Sequence, residues 1–240
     1  MRFLIQTIDG EVVHDFSFTL IEAIRYQKWL GRDMSYEFYN MWTPEERFGW
    51  DRPRGMIPVG TIEFVLSYYS EVEMKDINLI RPINLPECFN PRVCKIKDFD
   101  GKEPEYHIKS TTKFKDPMNG IRTLEEIKSL PPESMWQISE LEFILSEYRV
   151  FVRDGVILGC HFYSGEDPLI FPDGEEIKRM VKTYTNAPSA YTLDVMVTLE
   201  RKTKPIEVHE FFSCGLYGFA DLKNLPWMFI RTWQAMMNKK

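Results

Sequence analysis

The sequence has few of the residues that form disulfide frameworks and zinc sites. Its 240 residues include 4 cysteines, none in a CxxC pair, and 4 histidines, none at HxxxH spacing. A structural zinc site needs closely spaced Cys and His ligands, and scattered cysteines are typical of reduced thiols in a cytosol. The composition therefore argues against both kinds of site and predicts a cytoplasmic protein.

Long apolar runs and an excess of positive charge are also absent. No run approaches the roughly 18–20 apolar residues of a membrane-spanning helix, and the opening MRFLIQTIDGEVV is too short and too acidic for a signal peptide. With 36 acidic and 30 basic residues the net charge is −6, which argues against a protein that binds by neutralising a nucleic-acid backbone. We therefore expect neither a membrane nor a nucleic-acid partner.

Several familiar catalytic motifs are missing as well. The chain contains no GxxxxGK[ST], no GxGxxG after a strand, no GxSxG and no kinase HRD/DFG set. These absences argue against a P-loop, a Rossmann dinucleotide site, a serine hydrolase and a protein kinase. What is present is a 44% apolar and 14% aromatic composition, enough for a large buried core.

The N-terminal part has an α/β pattern. Residues 2–8 form an apolar strand pattern followed by the hairpin-type turn Asp9-Gly10, and Thr19 with Glu22 predicts a capping box before a helix over 20–30. Residues 40–57 are typical of a loop, and 59–69 favour a helix. A boundary near 75–90 divides the chain into an N-terminal part, 1–85, and a body, 86–240.

The body has a predominantly β pattern, which makes the whole chain α+β. Thr123 and Glu126 predict a second capping box, and the dipeptide Asp154-Gly155 between two apolar runs predicts a hairpin. Strands are expected over 190–199 and 205–212, and helices after Asp173 and over 225–237.

Charged residues inside apolar strand patterns are the main candidates for function. Asp194 and Glu207 each lie between two apolar neighbours, and Arg149 lies within an apolar run. Burying such charges is costly unless a charge of the opposite sign meets them. A bound metal ion and a structural salt bridge both satisfy the two acids, and the sequence leaves these alternatives open.

Three stretches together resemble the ATP-grasp superfamily, in particular the R2K clade of small ATP-grasp proteins. The first, 108–114 (IKSTTKF), is similar to the paired-lysine strand and phosphate loop of the family. The second, 138–152 with the following turn and strand to Gly159, is similar to the adenine hinge and its hairpin. The third comprises 191–195 and 206–218 (IEVHEFFSCGLYG) and is similar to the metal-binding strands. The resemblance implies an ATP-grasp fold in which antiparallel sheets clamp the nucleotide.

The resemblance also implies a role for each matching residue. Lys109, with Lys113 or Lys115, would meet the ATP phosphates, and Arg149 together with Lys113 would act on the transferred phosphoryl group. The adenine would be held by the Glu140 carboxylate and the backbones of Leu141 and Phe143, and the ribose by Glu147. Mg²⁺ would be held by Asp194, Glu207 and His209, where His209 stands in place of the usual Asn.

The implied activity is that of an ATP- and Mg²⁺-dependent ligase. A carboxylate substrate would become an acyl phosphate, and an amine, such as a peptide or protein terminus, would attack it to form an amide. His209 and a phosphate loop with one glycine, Gly120, favour an alternative: a nucleotide-binding module of the same fold with weak or no turnover. A scaffold protein that binds no nucleotide is a third hypothesis.

Overall fold

A computed structural model describes residues 1–41, 48, 54–89 and 91–239. Its α-helices are α1 (Asp15–Trp29), α2 (Ile62–Ser67), α3 (Leu124–Lys128), α4 (Gly174–Thr183) and α5 (Leu225–Asn238). Its strands are β1 (Arg2–Thr7), β2 (Ser35–Asn40), β3 (Ile57–Val59), β4 (Arg92–Lys95), β5 (Glu105–Ser110), β6 (Gly120–Thr123), β7 (Met135–Glu140), β8 (Ile144–Arg153), β9 (Val156–Gly165), β10 (Ala190–Thr198) and β11 (Thr203–Glu210).

The N-terminal sheet is parallel, in the order β2-β1-β3. Its central strand β1 is apolar on both faces, as expected for a parallel strand covered on both sides. Phe3 and Ile5 pack into a core with α1 and α5, whereas Leu4 packs into a second core with Phe64 and Tyr68. The C-terminal helix α5 therefore contributes to the same core as the first strand.

One local prediction for this part is wrong, and one is confirmed. Helix α1 begins at Asp15, so Thr19 lies inside the helix, where its hydroxyl donates to the Asp15 carbonyl instead of capping. The predicted hairpin-type turn at Asp9-Gly10 is confirmed: both residues have left-handed φ values, 52° and 81°, and Ile8 and Glu11 exchange two backbone hydrogen bonds of 2.9 Å. The turn closes an isolated antiparallel bridge, and β1 itself pairs in parallel with both of its neighbours. The second predicted capping box, Thr123 with Glu126, is confirmed.

The middle of the chain forms an antiparallel sheet in the order β4-β7-β5-β6. Ile108 of β5 and Ile138 of β7 are fully or nearly fully buried in a core with Ile127 of α3. Lys109 and Gln137, which point to the other face by strand alternation, are also buried. This sheet therefore presents buried polar groups on the face opposite α3.

The second antiparallel sheet has the order β11-β10-β8-β9. On one face, apolar residues of these strands pack against Ile177, Met180 and Val181 of α4. On the other face the register aligns four polar residues in one row across the strands, in the order Glu207, Asp194, Arg149 and His161. Alternation of side chains thus places the apolar core under α4 on one face of the sheet and this polar row on the other.

None of the helices in the described part of the chain combines the length and apolar character of a membrane span. The predicted loop over 40–57 falls mostly on residues 42–47 and 49–53, which lie outside the described residues. The division of the chain after residue 85 stays a prediction.

Candidate active site

A cavity of about 300 Å³ lies between the two antiparallel sheets and the start of α2. It is lined by β5, by the loop after it, by β8 and β11, and by the segment that follows β11. Its charged lining residues are five lysines and arginines and two glutamates: Arg81, Lys109, Lys113, Lys115, Arg149, Glu207 and Glu210. The excess of positive charge suits a ligand rich in phosphate.

Glu207 lies at the centre of this charge cluster. One carboxylate oxygen accepts a hydrogen bond from the Lys109 ammonium at 2.8 Å, and the other contacts Nε2 of His209 at 2.7 Å. Burial favours protonation of Glu207, but the hydrogen bond and charge of His209, with the Lys109 ammonium, lower its pKa well below the ordinary value. Glu207 is therefore a carboxylate at neutral pH.

Arg149 and Asp194 form a buried bidentate ion pair. The Arg149 Nε and a terminal nitrogen donate to the two Asp194 oxygens at 2.8 and 2.7 Å, and the other terminal nitrogen donates to the Gly215 carbonyl. Burial alone would lower the pKa of Arg149, but the ion pair raises it, so the guanidinium keeps its charge. Burial raises the pKa of Asp194, and the Arg149 guanidinium opposes that shift.

Two tyrosine rings contact the Arg149 guanidinium. Its guanidinium carbon lies 5.6 Å from the centre of the Tyr163 ring and 5.0 Å from that of Tyr217, and the two ring centres are 5.1 Å apart. Cation–π contacts of this kind restrict the orientation of the guanidinium. Arg149 is therefore fixed by an acid on one side and by aromatic rings on the other.

Asp194, Glu207 and His209 form the one potential metal-binding group among the described residues. One ligand atom from each lies within 4.8 Å of the others. Carboxylate oxygens suit a hard divalent cation, whereas the imidazole is a softer ligand. Each carboxylate oxygen has a second lone pair beyond the one used by its cationic partner. The donor set therefore fits a divalent cation through its two acids.

The two candidate phosphate lysines have different partners. Both line the cavity, but the Lys115 ammonium pairs with Glu63 of α2 at 2.9 Å, and Lys115 adopts a left-handed φ of 48°. The Lys113 ammonium has no partner within the described ranges, and its backbone N–H donates to the Ser110 hydroxyl. Of the two, Lys113 is the one whose charge is free for a ligand.

The hinge residues lie apart from the cavity lining. Glu140 is the last residue of β7, Leu141 and Phe143 follow the strand, and all three are exposed. The Phe143 carbonyl already accepts from the Leu199 N–H at 3.0 Å. Glu147 lies on β8, two residues before Arg149, and its carboxylate meets the hydroxyl of Tyr163. Burial, together with that contact, raises the pKa of Tyr163.

Comparison with known protein families identifies the family of the chain. The model of an ATP-grasp domain, R2K clade family 2, matches residues 90–225, which is more than half of the chain. The chain belongs to this ATP-grasp family. The match includes every residue that the sequence places at the nucleotide and metal sites, although it does not by itself assign their roles.

Solved structures show that this R2K-clade protein has the ATP-grasp fold. D-cycloserine synthetase DcsG is 10% identical with a TM-score of 0.58, and 99% of this chain and 100% of that chain align. The RimK domain protein ATP-grasp of Sphaerobacter thermophilus is 12% identical with a TM-score of 0.54, and 99% of each chain aligns. The D-alanine–D-alanine ligase of Bacillus anthracis is 11% identical with a TM-score of 0.52, and both chains are fully covered. Comparison with curated protein sequences gives no match.

The predicted family and α+β fold are thereby confirmed, and the structure adds residues to the candidate site that the sequence did not predict. Tyr163 and Tyr217 contact Arg149, Arg81 lines the cavity, and the Asn119 amide oxygen accepts from the Ser110 N–H at 2.7 Å. Tyr217 lies within the stretch that resembles the metal-binding strands, so its position was a usable signal. Arg81 and Asn119 have no such signal, because only the tertiary fold brings them to the cavity.

Proposed function

We propose that the protein is an ATP- and Mg²⁺-dependent carboxylate–amine ligase. ATP phosphorylates the carboxylate to an acyl phosphate, and the amine then displaces phosphate to form an amide, with ADP and inorganic phosphate as the other products. The observation that carries the proposal is the convergence of Lys109, Arg149 and Glu207 on one cavity of an ATP-grasp protein, above the buried Asp194.

The cations of the cavity hold the phosphates in this proposal. Lys109 is fixed by Glu207, so it offers a positioned charge to the α- and β-phosphates. Lys113, on the adjoining loop, offers an ammonium without a partner among the described residues, and we assign it to the transferred phosphoryl group with Arg149. Arg149 presents a guanidinium already oriented by Asp194 and the tyrosine pair, and fixed charges of this kind stabilise a transition state without reorganisation.

The hinge segment holds the nucleoside in this proposal. The exposed backbone after β7 leaves the N–H of Leu141 and Phe143 for the edge of the adenine, and the Glu140 carboxylate accepts from its amino group. Glu147 shares a strand face with Arg149, since alternate residues of a strand point the same way. We assign its carboxylate to the ribose hydroxyls, on the strand face that also carries Arg149.

Asp194, Glu207 and His209 would hold the Mg²⁺ ion. When bound, the ion would neutralise phosphate charge and orient the phosphoryl group for in-line transfer. The substrates in this proposal are a carboxylic acid and an amine. The B. anthracis protein with the same fold is named as a ligase of D-alanine with D-alanine. The acceptor we infer is an amine of a similar small molecule or of a peptide.

Two measurements test the proposal. Mg-ATP should raise the melting temperature, because a ligand that binds only the folded state stabilises it by about 2.7 kcal/mol at 100 times its Kd. Glu207→Gln should abolish ADP release while it spares much of the stabilisation by ADP, because the base and ribose contacts lie elsewhere. Glu133→Gln, at an exposed glutamate of the loop before β7, is the matched control and should behave like the wild type.

The same measurements separate the alternatives. Stabilisation by nucleotide without ADP release, across a panel of acids and amines, would support the inactive nucleotide-binding module. A melting curve unchanged by millimolar Mg-ATP would contradict both nucleotide hypotheses and would support the third one, a scaffold protein that binds no nucleotide.

A further inference from the structure

A second cavity, here named the basic pocket, lies where the β8–β9 turn meets the start of α5. It has a volume of about 270 Å³ and is lined by Arg32, Arg153, Asp154, Lys223, Asn224, Trp227 and Arg231. It shares no lining residue with the candidate active site. Arg153 lies four residues beyond Arg149 on β8, which is roughly 13 Å at about 3.3 Å per residue. The basic pocket is therefore a separate site.

Arg32 is held in place within the basic pocket. One of its terminal nitrogens donates to the Gln27 amide oxygen at 2.7 Å, and its guanidinium carbon lies 5.4 Å from the centre of the Trp227 ring. Gln27 is fully buried, and its amide nitrogen donates to the carbonyls of Leu222 and Lys223. This buried side chain therefore ties Arg32 to the loop that carries Lys223.

Arg153 and Arg231 converge on a single acid. The Arg231 Nε donates to Asp154 at 3.2 Å, whereas the Arg153 Nε is 3.7 Å from the same carboxylate oxygen. Arg153 is 25% exposed, and its Nε is buried without a hydrogen-bond partner in the described chain. A buried donor without a partner is costly, and a ligand oxygen would satisfy it.

The basic pocket carries an excess of positive charge. Four cations from four separate segments surround one carboxylate, in a chain whose net charge is −6. The ammonium of Lys223 has no partner among the described residues. Like charges held this close repel one another unless an anion lies between them. The first-turn N–H groups of α5 add little, because those of Leu225 and Trp227 already bond to carbonyls and Pro226 has none.

We propose that the basic pocket binds a phosphate group of a ligand distinct from the nucleotide in the active site. Arginine forks match phosphate oxygens in paired hydrogen bonds, and the guanidinium groups of Arg32, Arg153 and Arg231 keep donors free beyond their present contacts. The cavity volume accommodates one or two phosphate groups. Bound phosphate would supply the missing acceptor at Arg153 and neutralise the excess charge.

Calorimetric titration with inorganic pyrophosphate, in magnesium-free buffer of fixed low ionic strength, tests the proposal. Arg231→Gln and Lys223→Gln should each weaken binding about tenfold or more, since each removes a charged contact to the anion. Both side chains are exposed, so neither substitution disturbs the core. Arg25→Gln is the matched control, because it removes an exposed arginine of α1 whose one ion pair among the described residues is with Glu22, and it should leave the affinity unchanged.

Lys109→Ala separates the two cavities. Pyrophosphate binding that survives Lys109→Ala and weakens with Arg231→Gln supports the basic pocket, whether or not the protein proves to be a ligase. The proposal is overturned if the wild type does not bind pyrophosphate, or if only Lys109→Ala abolishes pyrophosphate binding. It is also overturned if Arg25→Gln weakens pyrophosphate binding as much as Arg231→Gln does. Citrate that binds as tightly as pyrophosphate would overturn the choice of phosphate over carboxylate.

Discussion

Replacing Arg149 by Met should strongly destabilise the protein. The side chain of Asp194 is 1% exposed, and it would lose both hydrogen bonds to its cationic partner. Breaking a buried ion pair on one side costs about 3–5 kcal/mol, because the remaining charge is left without compensation. For a chain of this length, about 2–4 °C is lost per kcal/mol, so the melting temperature should fall by about 6–20 °C.

The double variant Arg149→Met/Asp194→Asn isolates the cause of that loss. With the buried charge removed, most of the lost free energy of unfolding should return, and the coupling between the two substitutions should be at least about 1 kcal/mol. Lys109→Met provides a comparison, because the Glu207 side chain is 28% exposed and keeps its contact to His209. The free energy of unfolding of this variant should therefore fall by only about 1.5–3 kcal/mol. Urea unfolding of five proteins measures these differences: the wild type, Arg149→Met, Asp194→Asn, the double variant and Lys109→Met. An Arg149→Met variant within 1 kcal/mol of the wild type would refute the reasoning.

Three further predictions concern the nucleotide, the metal site and the backbone. Glu147→Ala should reduce nucleotide affinity, measured by calorimetry, by about 1.5–3 kcal/mol with the fold intact; unfolding with unchanged affinity would contradict the ribose role. His209→Asn should preserve or raise ADP release, since it supplies an oxygen ligand; loss of release would assign a necessary role to the imidazole. Gly165→Ala should destabilise by at least about 1–3 kcal/mol, because Gly165 has a φ of 114° and a Cβ there would lie 2.6 Å from the Leu145 carbonyl oxygen. Gly174→Ala, at the open first position of α4, should be neutral or stabilising, and an equal loss at both glycines would argue against backbone strain.

Local sequence signals predicted much of the fold because they act within a few residues. The Asp154-Gly155 hairpin forms with left-handed φ values of 49° and 75°, and the helix after Asp173 begins where the aspartate caps it. The capping box predicted at Thr19 failed for a tertiary reason. One Asp15 carboxylate oxygen accepts from the Phe16 N–H and the other accepts from the Leu216 N–H, so a contact 201 residues away helps to anchor the first residue of α1.

The partners of the buried charges could not be predicted. The sequence left metal binding and salt bridges as alternatives for Asp194 and Glu207. The structure shows ion pairs to Arg149, 45 residues away, and to Lys109, 98 residues away. Register between distant strands depends on the whole sheet, and a shift of one residue would move every side chain to the opposite face. Metal binding by the same two acids stays a prediction.

The ion pair between Lys115 and Glu63 has a consequence for how quickly the cavity exchanges its contents. It joins the loop after β5 to α2 at the lining of the cavity, yet the two side chains are 61% and 37% exposed. An exposed pair contributes about 0–1 kcal/mol, so closed and open forms of this contact differ in population by at most about five to one. Loop motions of this size occur in nanoseconds to microseconds. Access to the cavity past this contact is therefore in rapid equilibrium, and an arriving phosphate competes with Glu63 for a lysine that the protein holds only weakly.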